Sequence, residues 1–278
     1  MVNKTEDNGS IIFFILHSIF TILNSMFSLI ANLKMKLVSE KENAEYCVAL
    51  AEEMKNVKRK SAQLVMCPSF PFLELFKKKL PKGVFLGAQD VFWEDIGAFT
   101  GMVSPRSLVD FGVSYAIVGH SERREFLGET DEMIAKKVRA CFRNSFRPIV
   151  CVGETEAERA DGKTFSVIGR QVRSAFSGIS REDFRRAIIA YEPRWAIGTN
   201  RTPSPDEILE VAISLRRNLV ENFDRSDVDS LPILYGGSVS AEQIDELCFR
   251  PGLSGVLVGR ESLNPTEVAK MMRALGEG

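Results

Sequence analysis

Glu192 ends an apolar run in a way that suits a catalytic base. Residues 187–191 read Ala-Ile-Ile-Ala-Tyr, and a proline, a tryptophan and a small-residue stretch that reaches Gly198 follow the glutamate. This pattern predicts a buried strand that delivers one carboxylate to its C-terminal end, where a loop begins. A carboxylate placed there is a poor choice for packing and a good choice for removing a proton.

Two other residues capable of chemistry also stand just beyond apolar runs, namely Lys34 and His120. Either of them alone would more commonly be structural, as a surface ion pair or a packed imidazole. Two glycine-containing segments, Gly236-Gly237-Ser238 and Gly259, follow the last two runs and can offer backbone N–H groups to an anion. The four segments and Glu192 together predict one site, provided that a scaffold brings the strand ends together.

The pattern beyond residue 27 predicts such a scaffold, because strand-like and helix-like segments alternate in eight units. The strands are predicted at Ser28–Asn32, Gln63–Cys67, Val84–Gln89, Tyr115–Val118, Pro148–Val152, Arg186–Tyr191, Leu231–Tyr235 and Gly255–Val258. The principal helices are predicted at Ser39–Lys55, Ser69–Lys79, Thr130–Ser145, Lys163–Ser177, Ser204–Asn222, Ala241–Cys248 and Asn264–Leu275. Strict alternation indicates an α/β fold with a parallel sheet, and eight units can close into a single (β/α)8 barrel over residues 27–278. The alternative is an open, doubly wound sheet.

Composition limits the classes of function. The chain has 278 residues, a formal net charge of -1 and no long basic run, so nucleic acid is not an expected partner. Its five cysteines lack close metal-like spacing, which favours free thiols and a reducing compartment, the cytoplasm. Two histidines cannot make a histidine-rich metal site, and no dinucleotide or nucleotide-phosphate motif occurs. We therefore expect neither a metal nor another cofactor.

Residues 1–26 form an apolar N-terminal extension that the barrel does not need. The apolar part, residues 11–26, is short for a membrane span and contains His17 and several hydroxyl or amide side chains. The preceding ten residues contain one lysine against two acidic residues, so they lack the net positive charge of a signal peptide. We favour an extra helix or an over-extended start of translation, and we keep a membrane anchor and a targeting sequence as alternatives.

Seven segments in order resemble the triosephosphate isomerase family over about residues 28–275. They are Ala31–Met35, Gly97–Gly101, Val118–Arg124, Gly128–Glu132, Tyr191–Thr199, Tyr235–Val239 and Gly255–Leu263. The resemblance implies a single (β/α)8 TIM barrel that interconverts dihydroxyacetone phosphate and D-glyceraldehyde 3-phosphate. It also implies a homodimer built through the loop Phe92–Ser104, with a small phosphorylated triose as substrate.

The resemblance implies a role for each matched residue. Glu192 would remove a proton, His120 would donate hydrogen bonds to the substrate oxygens, and Lys34 would stabilise negative charge. Asn32 would add a neutral donor, and Glu122 would tether Lys34 or relay polar contacts. The packed thiol of Cys151 would support the site. The phosphate would be bound by the backbone N–H groups of Gly198, Ser238, Gly259 and Arg260. Simple apolar packing would also explain the thiol.

The chain departs from the family pattern at several places. Leu33 and Lys36 replace a usual tryptophan and asparagine, which we expect to affect packing. Arg260 replaces a usual glycine, so we expect its N–H to serve the phosphate while its side chain lies at the rim. The closing loop differs at Arg194, Asn200 and Pro203. Two other functions stay open: another phosphate-binding barrel, such as a lyase or epimerase, and a non-catalytic scaffold tethered through residues 11–26.

Overall fold

The fold is a closed barrel of eight parallel strands, in which each strand pairs with its neighbours in sequence and the last pairs with the first. The computed structural model describes residues 26–58, 61–197, 199 and 201–277, so all of the predicted extension except Met26 lies outside the described residues. The strands are β1 (Phe27–Asn32), β2 (Ala62–Cys67), β3 (Val84–Ala88), β4 (Val113–Val118), β5 (Arg147–Val152), β6 (Ile188–Tyr191), β7 (Ile233–Gly237) and β8 (Gly255–Val258). The predicted barrel is confirmed, and the open sheet is wrong.

The barrel closes where β1 meets β8. Ser28 lies opposite Gly255 on one side and opposite Gln63 on the other. A Cβ atom on Gly255 would lie 2.0 Å from the carbonyl oxygen of Ser28, and its φ of +140° is one that side chains rarely adopt. A glycine is therefore required at this contact between the first and last strands.

The strands are apolar on both faces because each face packs against a different layer. One cluster fills the inside of the barrel, and a larger one lies between the strands and the outer helices. Along β1, Ile30 belongs to the inner cluster, whereas Leu29 and Ala31 belong to the outer one. The inner cluster consists of Ile30, Val65, Cys67, Tyr115, Ile117, Ile149, Cys151, Ile188, Ala190, Leu234 and Leu257. This double burial explains why the strands read as continuous apolar runs.

The outer layer of the described chain contains eleven α-helices. They are α1 (Glu40–Glu53), α2 (Leu73–Lys79), α3 (Pro105–Asp110), α4 (Ser121–Phe126), α5 (Asp131–Arg143), α6 (Glu156–Ala160), α7 (Thr164–Ala175), α8 (Arg181–Phe184), α9 (Pro205–Leu219), α10 (Arg225–Ser230) and α11 (Pro265–Glu277). Ser39 is the N-cap of α1, and Pro205 opens α9, both as predicted. The hydroxyl of Ser39 accepts a hydrogen bond from the N–H of Glu42, and the N–H of Ser39 donates to the carboxylate of Glu42. Across the described ranges, no helix has the length and apolar character needed to cross a bilayer.

Two predicted helices have a different form. The predicted helix at Ser69–Lys79 begins with a 3₁₀ turn at Phe70–Phe72 before α2. The predicted helix at Ala241–Cys248 is a 3₁₀ turn, Ala241–Gln243, followed by a π-helical turn, Asp245–Phe249. Both segments directly follow strands near the mouth of the barrel. The 3₁₀ and π-helical turns therefore set the direction in which the chain continues from these strand ends.

Candidate active site

A cavity of about 430 Å³ opens at the C-terminal ends of the strands. Its lining includes most of the residues that the sequence singled out, together with apolar side chains. The lining residues are Lys34, Lys36, His120, Glu122, Glu192, Ile197, Gly237, Ser238, Leu257, Gly259, Arg260 and Leu263. Asn32 and Cys151 are buried outside this lining. Gly198 and Asn200 lie outside the described residues.

Glu192 follows the last residue of β6 and is buried, with 1% of its surface exposed. The backbone N–H of Ser121 donates a 3.0 Å hydrogen bond to its Oε2 atom. Its Oε1 atom is buried, has no hydrogen-bond partner among the described residues, and lies 3.3 Å from Nε2 of His120. One carboxylate oxygen is therefore held while the other is left for a ligand.

Two glycines make room for this carboxylate. A Cβ atom on Gly236 would lie 2.5 Å from Cγ of Glu192, and one on Gly153 would lie 1.8 Å from the carbonyl oxygen of Glu192. Neither distance allows a side chain without movement of the glutamate or of its backbone. The positions that flank Glu192 on β7 and after β5 are thus limited to glycine by the glutamate itself.

His120 is buried and stands at the N-cap of α4. Its Nδ1 atom accepts a 3.2 Å hydrogen bond from the backbone N–H of Glu122. A nitrogen that accepts a hydrogen bond carries no proton, so the neutral imidazole has its proton on Nε2. Because Nε2 faces the cavity beside Glu192, His120 is oriented as a hydrogen-bond donor to a bound ligand.

Lys34 brings a positive charge into the same cavity. Its Nζ atom lies 2.6 Å from Oε1 of Glu122, and Oε2 of that glutamate lies 3.6 Å from Nδ1 of His120. The side chains of Lys34 and Glu122 are 26% and 39% exposed, so water weakens their attraction. The ion pair positions the ammonium group more than it stabilises the fold.

The backbone of Lys34 is held in an uncommon conformation. Its φ of +50° is in the left-handed region, which costs a residue other than glycine about 1–3 kcal/mol. The side chain of Asn32 accepts a hydrogen bond from its N–H at 3.0 Å, and Ser69 and Gln89 donate to its carbonyl at 2.7 and 2.9 Å. These three contacts keep the lysine turned toward the cavity.

Cys151 belongs to the inner cluster of the barrel, below the cavity. Burial, and then the negative charge of Glu192, raise the pKa of its thiol well above the usual value. The group is therefore a neutral thiol that packs near the carboxylate. This environment makes it a neighbour of Glu192 rather than a nucleophile.

Arg260 follows Gly259 at the end of β8 and is exposed at the edge of the cavity. Its φ of −56° and ψ of −51° are ordinary for any residue, so the departure from glycine requires no strained backbone. At Gly259, in contrast, a Cβ atom would lie 2.7 Å from Cε of Lys34, so a side chain there would displace the end of the lysine side chain. The two residues thus differ in how much side chain their positions allow.

Two parts of the site were not predicted from the sequence. The N–H of Ser121 that holds Glu192 comes from a residue 71 positions away, and no spacing rule indicates such a contact. Lys36 lines the cavity, although only a packing effect was expected of it. Its position two residues beyond Lys34, on the same strand-end loop, was the signal that could have indicated this.

Among the described residues, no group of three or more His, Cys, Asp or Glu side chains is arranged to hold a metal ion. The side chains in the cavity include a carboxylate with a free oxygen on Glu192, an imidazole N–H on His120 and the ammonium group of Lys34. This set can remove a proton from carbon and stabilise the oxygen that becomes negative.

Comparison with known proteins agrees with this chemistry. A family model described as triosephosphate isomerase matches residues 27–275. The triosephosphate isomerase of Thermoanaerobacter pseudethanolicus is 43% identical over 229 residues, which cover 81% of this chain and 92% of that protein. Those of Citrifermentans bemidjiense and Carboxydothermus hydrogenoformans are 44% and 45% identical, over 77% and 80% of this chain and 85% and 88% of their own lengths. The chain therefore belongs to the triosephosphate isomerase family, whose members interconvert dihydroxyacetone phosphate and D-glyceraldehyde 3-phosphate.

Proposed function

We propose that this chain interconverts dihydroxyacetone phosphate and D-glyceraldehyde 3-phosphate, with Glu192 as the base. The observation that carries the proposal is the buried Oε1 atom of Glu192, which has no hydrogen-bond partner among residues 26–58, 61–197, 199 and 201–277. It lies 3.3 Å from Nε2 of His120, so a substrate carbon and its carbonyl oxygen can contact the two groups together.

The reaction moves one proton between adjacent carbons and one between the oxygens that they carry. Glu192 takes a proton from the carbon beside the carbonyl, and the electron pair of that C–H bond forms the carbon–carbon double bond of an enediolate. The protonated glutamate then returns a proton to the neighbouring carbon. The hydroxyl proton on the first carbon moves to the oxygen of the neighbouring carbon, and the carbonyl forms at the first carbon. The hydrogen bond from the N–H of Ser121 keeps the carboxylate in place during both transfers.

The enediolate oxygens need compensation for their negative charge. His120 donates from Nε2, because its Nδ1 atom is occupied by the N–H of Glu122. Lys34 supplies a cation whose direction is set by its 2.6 Å contact with Glu122. Asn32, buried beside Lys34, adds a neutral polar group that also supports the strained turn. Donors and charges fixed in this way need no reorganisation when the charge develops.

The phosphate group lies at the other side of the cavity in this proposal. Ser238, Gly259 and Arg260 border the cavity after β7 and β8, where backbone N–H groups can contact a dianion. Gly198, expected to contribute a further N–H from the closing loop, belongs to the same proposal. Binding energy from the phosphate would hold the loop over the reacting carbons.

A coupled assay on the full chain tests the proposal in both directions. We expect turnover of both triose phosphates and, for Glu192→Gln, a loss of turnover of at least about a hundredfold with little change in KM. Glu182→Gln, at an exposed glutamate on α8, is the matched control and should behave as the native chain. Absence of isomerase activity in the correctly folded native chain would favour the lyase, epimerase or scaffold alternatives.

We also propose that two copies associate through the loop Phe92–Ser104. Three apolar side chains of this loop are solvent-exposed in a single chain, at 86% for Ile96, 44% for Phe99 and 57% for Met102. Exposed apolar side chains close together in sequence are typical of a protein interface. The N–H of Phe92 donates to the carbonyl of Val103 at 2.9 Å, so the base of the loop is closed and its tip projects.

Light scattering at micromolar concentration tests this association. We expect twice the mass of one chain, and the mass of a single chain for Ile96→Asp. Phe165→Asp, at an exposed apolar position on α7, is the control and should leave the mass unchanged. A native chain with the mass of a monomer would overturn the proposal.

The cytoplasm is the proposed location, and the five cysteines support it. All of them are buried and free, as expected for a reducing compartment. Fractionation of the source cells tests this, and recovery in the membrane fraction would instead favour an anchor in residues 11–26.

A further inference from the structure

Two cations at the mouth of the cavity have no part in the proposed proton transfer. Lys36 and Arg260 border the cavity, and both are exposed. Within the described part of the chain, neither side chain has a hydrogen bond or an ion pair, whereas Lys34 is paired with Glu122 at 2.6 Å. The mouth therefore presents two positive groups that are free to bind an anion.

The backbone brings these two cations together. Lys36 follows β1 and Arg260 follows β8, and these strands are neighbours in the barrel. The hydroxyl of Ser262, two residues beyond Arg260, donates to the carbonyl of Asn32 at 3.0 Å. This contact joins the two strand-end loops, so the two cations lie on one side of the cavity mouth.

The charges that line the cavity favour a ligand with more than one phosphoryl group. Three cationic side chains, Lys34, Lys36 and Arg260, face two carboxylates, Glu122 and Glu192. Since Lys34 and Glu122 compensate each other, the two rim cations outnumber the one remaining carboxylate. The volume of about 430 Å³ is within the range of pockets, about 300–1,000 Å³, that bind molecules larger than a three-carbon phosphate.

We propose that Lys36 and Arg260 form a second anion subsite at the mouth, which binds the outer phosphoryl group of a diphosphate. The inner phosphoryl group would occupy the phosphate position of the substrate, so this inference rests on the proposed function. A guanidinium group and an ammonium group suit this ligand, because they form charge-assisted hydrogen bonds with phosphoryl oxygens. Diphosphates would then inhibit the isomerase in competition with triose phosphate.

Inhibition of the full chain by inorganic pyrophosphate and by inorganic phosphate tests the subsite. Both inhibition constants are measured at one fixed ionic strength, because screening changes such interactions, and without divalent metal ions. We expect pyrophosphate to bind at least about tenfold more tightly than phosphate in the native chain. The discriminating quantity is the ratio of the two inhibition constants, which is independent of turnover.

The variants Lys36→Gln and Arg260→Gln should each reduce that ratio by about threefold or more, and the double variant should bring it close to one. The control is Lys41→Gln with Arg217→Gln, two exposed cations on α1 and α9, and it should keep the native ratio. A native ratio near one, or an equal rise of both constants in the double variant, would overturn the subsite.

A calorimetric titration with pyrophosphate separates this inference from the proposed function. If the native chain lacks isomerase activity, pyrophosphate binding that Lys36→Gln and Arg260→Gln weaken would still support the subsite. Binding that these variants leave unchanged would overturn it, whatever the outcome of the kinetic assay.

Discussion

Trp195 donates a 2.9 Å hydrogen bond from its indole N–H to Glu154, whose carboxylate is completely buried. The hydroxyl of Tyr191 lies 3.3 Å from both oxygens of the same carboxylate, and the guanidinium of Arg159 lies 4.2 Å from the indole ring. Burial raises the pKa of Glu154 in spite of these donors. The segment that follows Glu192 is thus anchored at its beginning to the loop after β5.

Replacing the indole tests this anchor. In Trp195→Phe, Glu154 keeps the Tyr191 hydroxyl but loses its shorter hydrogen bond, and the loss of a hydrogen bond to a buried carboxyl group costs about 1–3 kcal/mol in the free energy of unfolding. Urea denaturation should show that loss, and KM for triose phosphate should rise because the loop is less firmly held. The control is Phe165→Leu, at an exposed aromatic position on α7 that neither lines the cavity nor belongs to the loop Phe92–Ser104. Equal midpoints of urea denaturation for the two variants would show that the hydrogen bond from Trp195 to Glu154 does not hold the segment after Glu192.

Glu122→Gln tests how the ammonium of Lys34 is positioned. The amide keeps the shape of the side chain and the backbone N–H that orients His120, but it removes the charge 2.6 Å from Nζ. Because the pair is partly exposed, we expect a loss of about 1 kcal/mol, equivalent to a five- to tenfold lower kcat/KM. Glu125→Gln, an exposed glutamate on the same helix α4, should have native kinetics. Native kinetics in Glu122→Gln as well would mean that Lys34 needs no tether.

Gly236→Ala should displace the catalytic carboxylate without unfolding the barrel. The new methyl group would lie 2.5 Å from Cγ of Glu192, and a shift of about 1 Å can cost about a hundredfold in turnover. Circular dichroism should remain native while kcat falls. In contrast, Gly178→Ala has no atom within 4 Å of the new Cβ and only an unfavourable φ of +70°, so it should lose some stability and keep its turnover. Native turnover in Gly236→Ala would show that Glu192 has room to move.

The five thiols should resist alkylation in the folded protein. Burial raises the pKa of Cys47 to about 11 and of Cys248 to about 12, and it also raises those of Cys67, Cys141 and Cys151. A raised pKa keeps a thiol protonated as the pH increases, and the thiolate is the reactive form. At pH 8, iodoacetamide should therefore modify all five only after denaturation in urea. Mass spectrometry of the native protein checks this, and rapid labelling of any one cysteine would contradict its burial.

Much of the fold could be predicted from the sequence because its strands are buried on both faces. Continuous apolar runs such as Ile188–Tyr191 indicate parallel strands, and strong caps such as Ser39 mark where long helices begin. The short helices α4, α6, α8 and α10 were not predicted, because four to six residues contain too little apolar periodicity to distinguish them from loops. The π-helical turn at Asp245–Phe249 also has no sequence pattern of its own.

Contacts between distant segments account for most of what the sequence could not predict. Gln63 lies in a predicted strand, but its buried amide donates to Ser28 at 2.8 Å and accepts from the hydroxyl of Tyr115 at 3.0 Å. Such polar contacts inside a barrel depend on register, which apolar patterns do not determine for strands buried on both faces. The convergence of strand-end residues was predictable, whereas the partner of each polar atom was not.

The direction of β1 has a practical consequence for protein engineering. Phe27 begins the strand and Asn32 ends it toward the cavity, so the N-terminal end of β1 lies on the opposite side of the barrel. Six residues of strand correspond to about 20 Å along the strand. An affinity handle or fluorescent reporter that replaces residues 1–25 would therefore be attached on the side away from the cavity mouth. That end is the natural point for immobilising the enzyme.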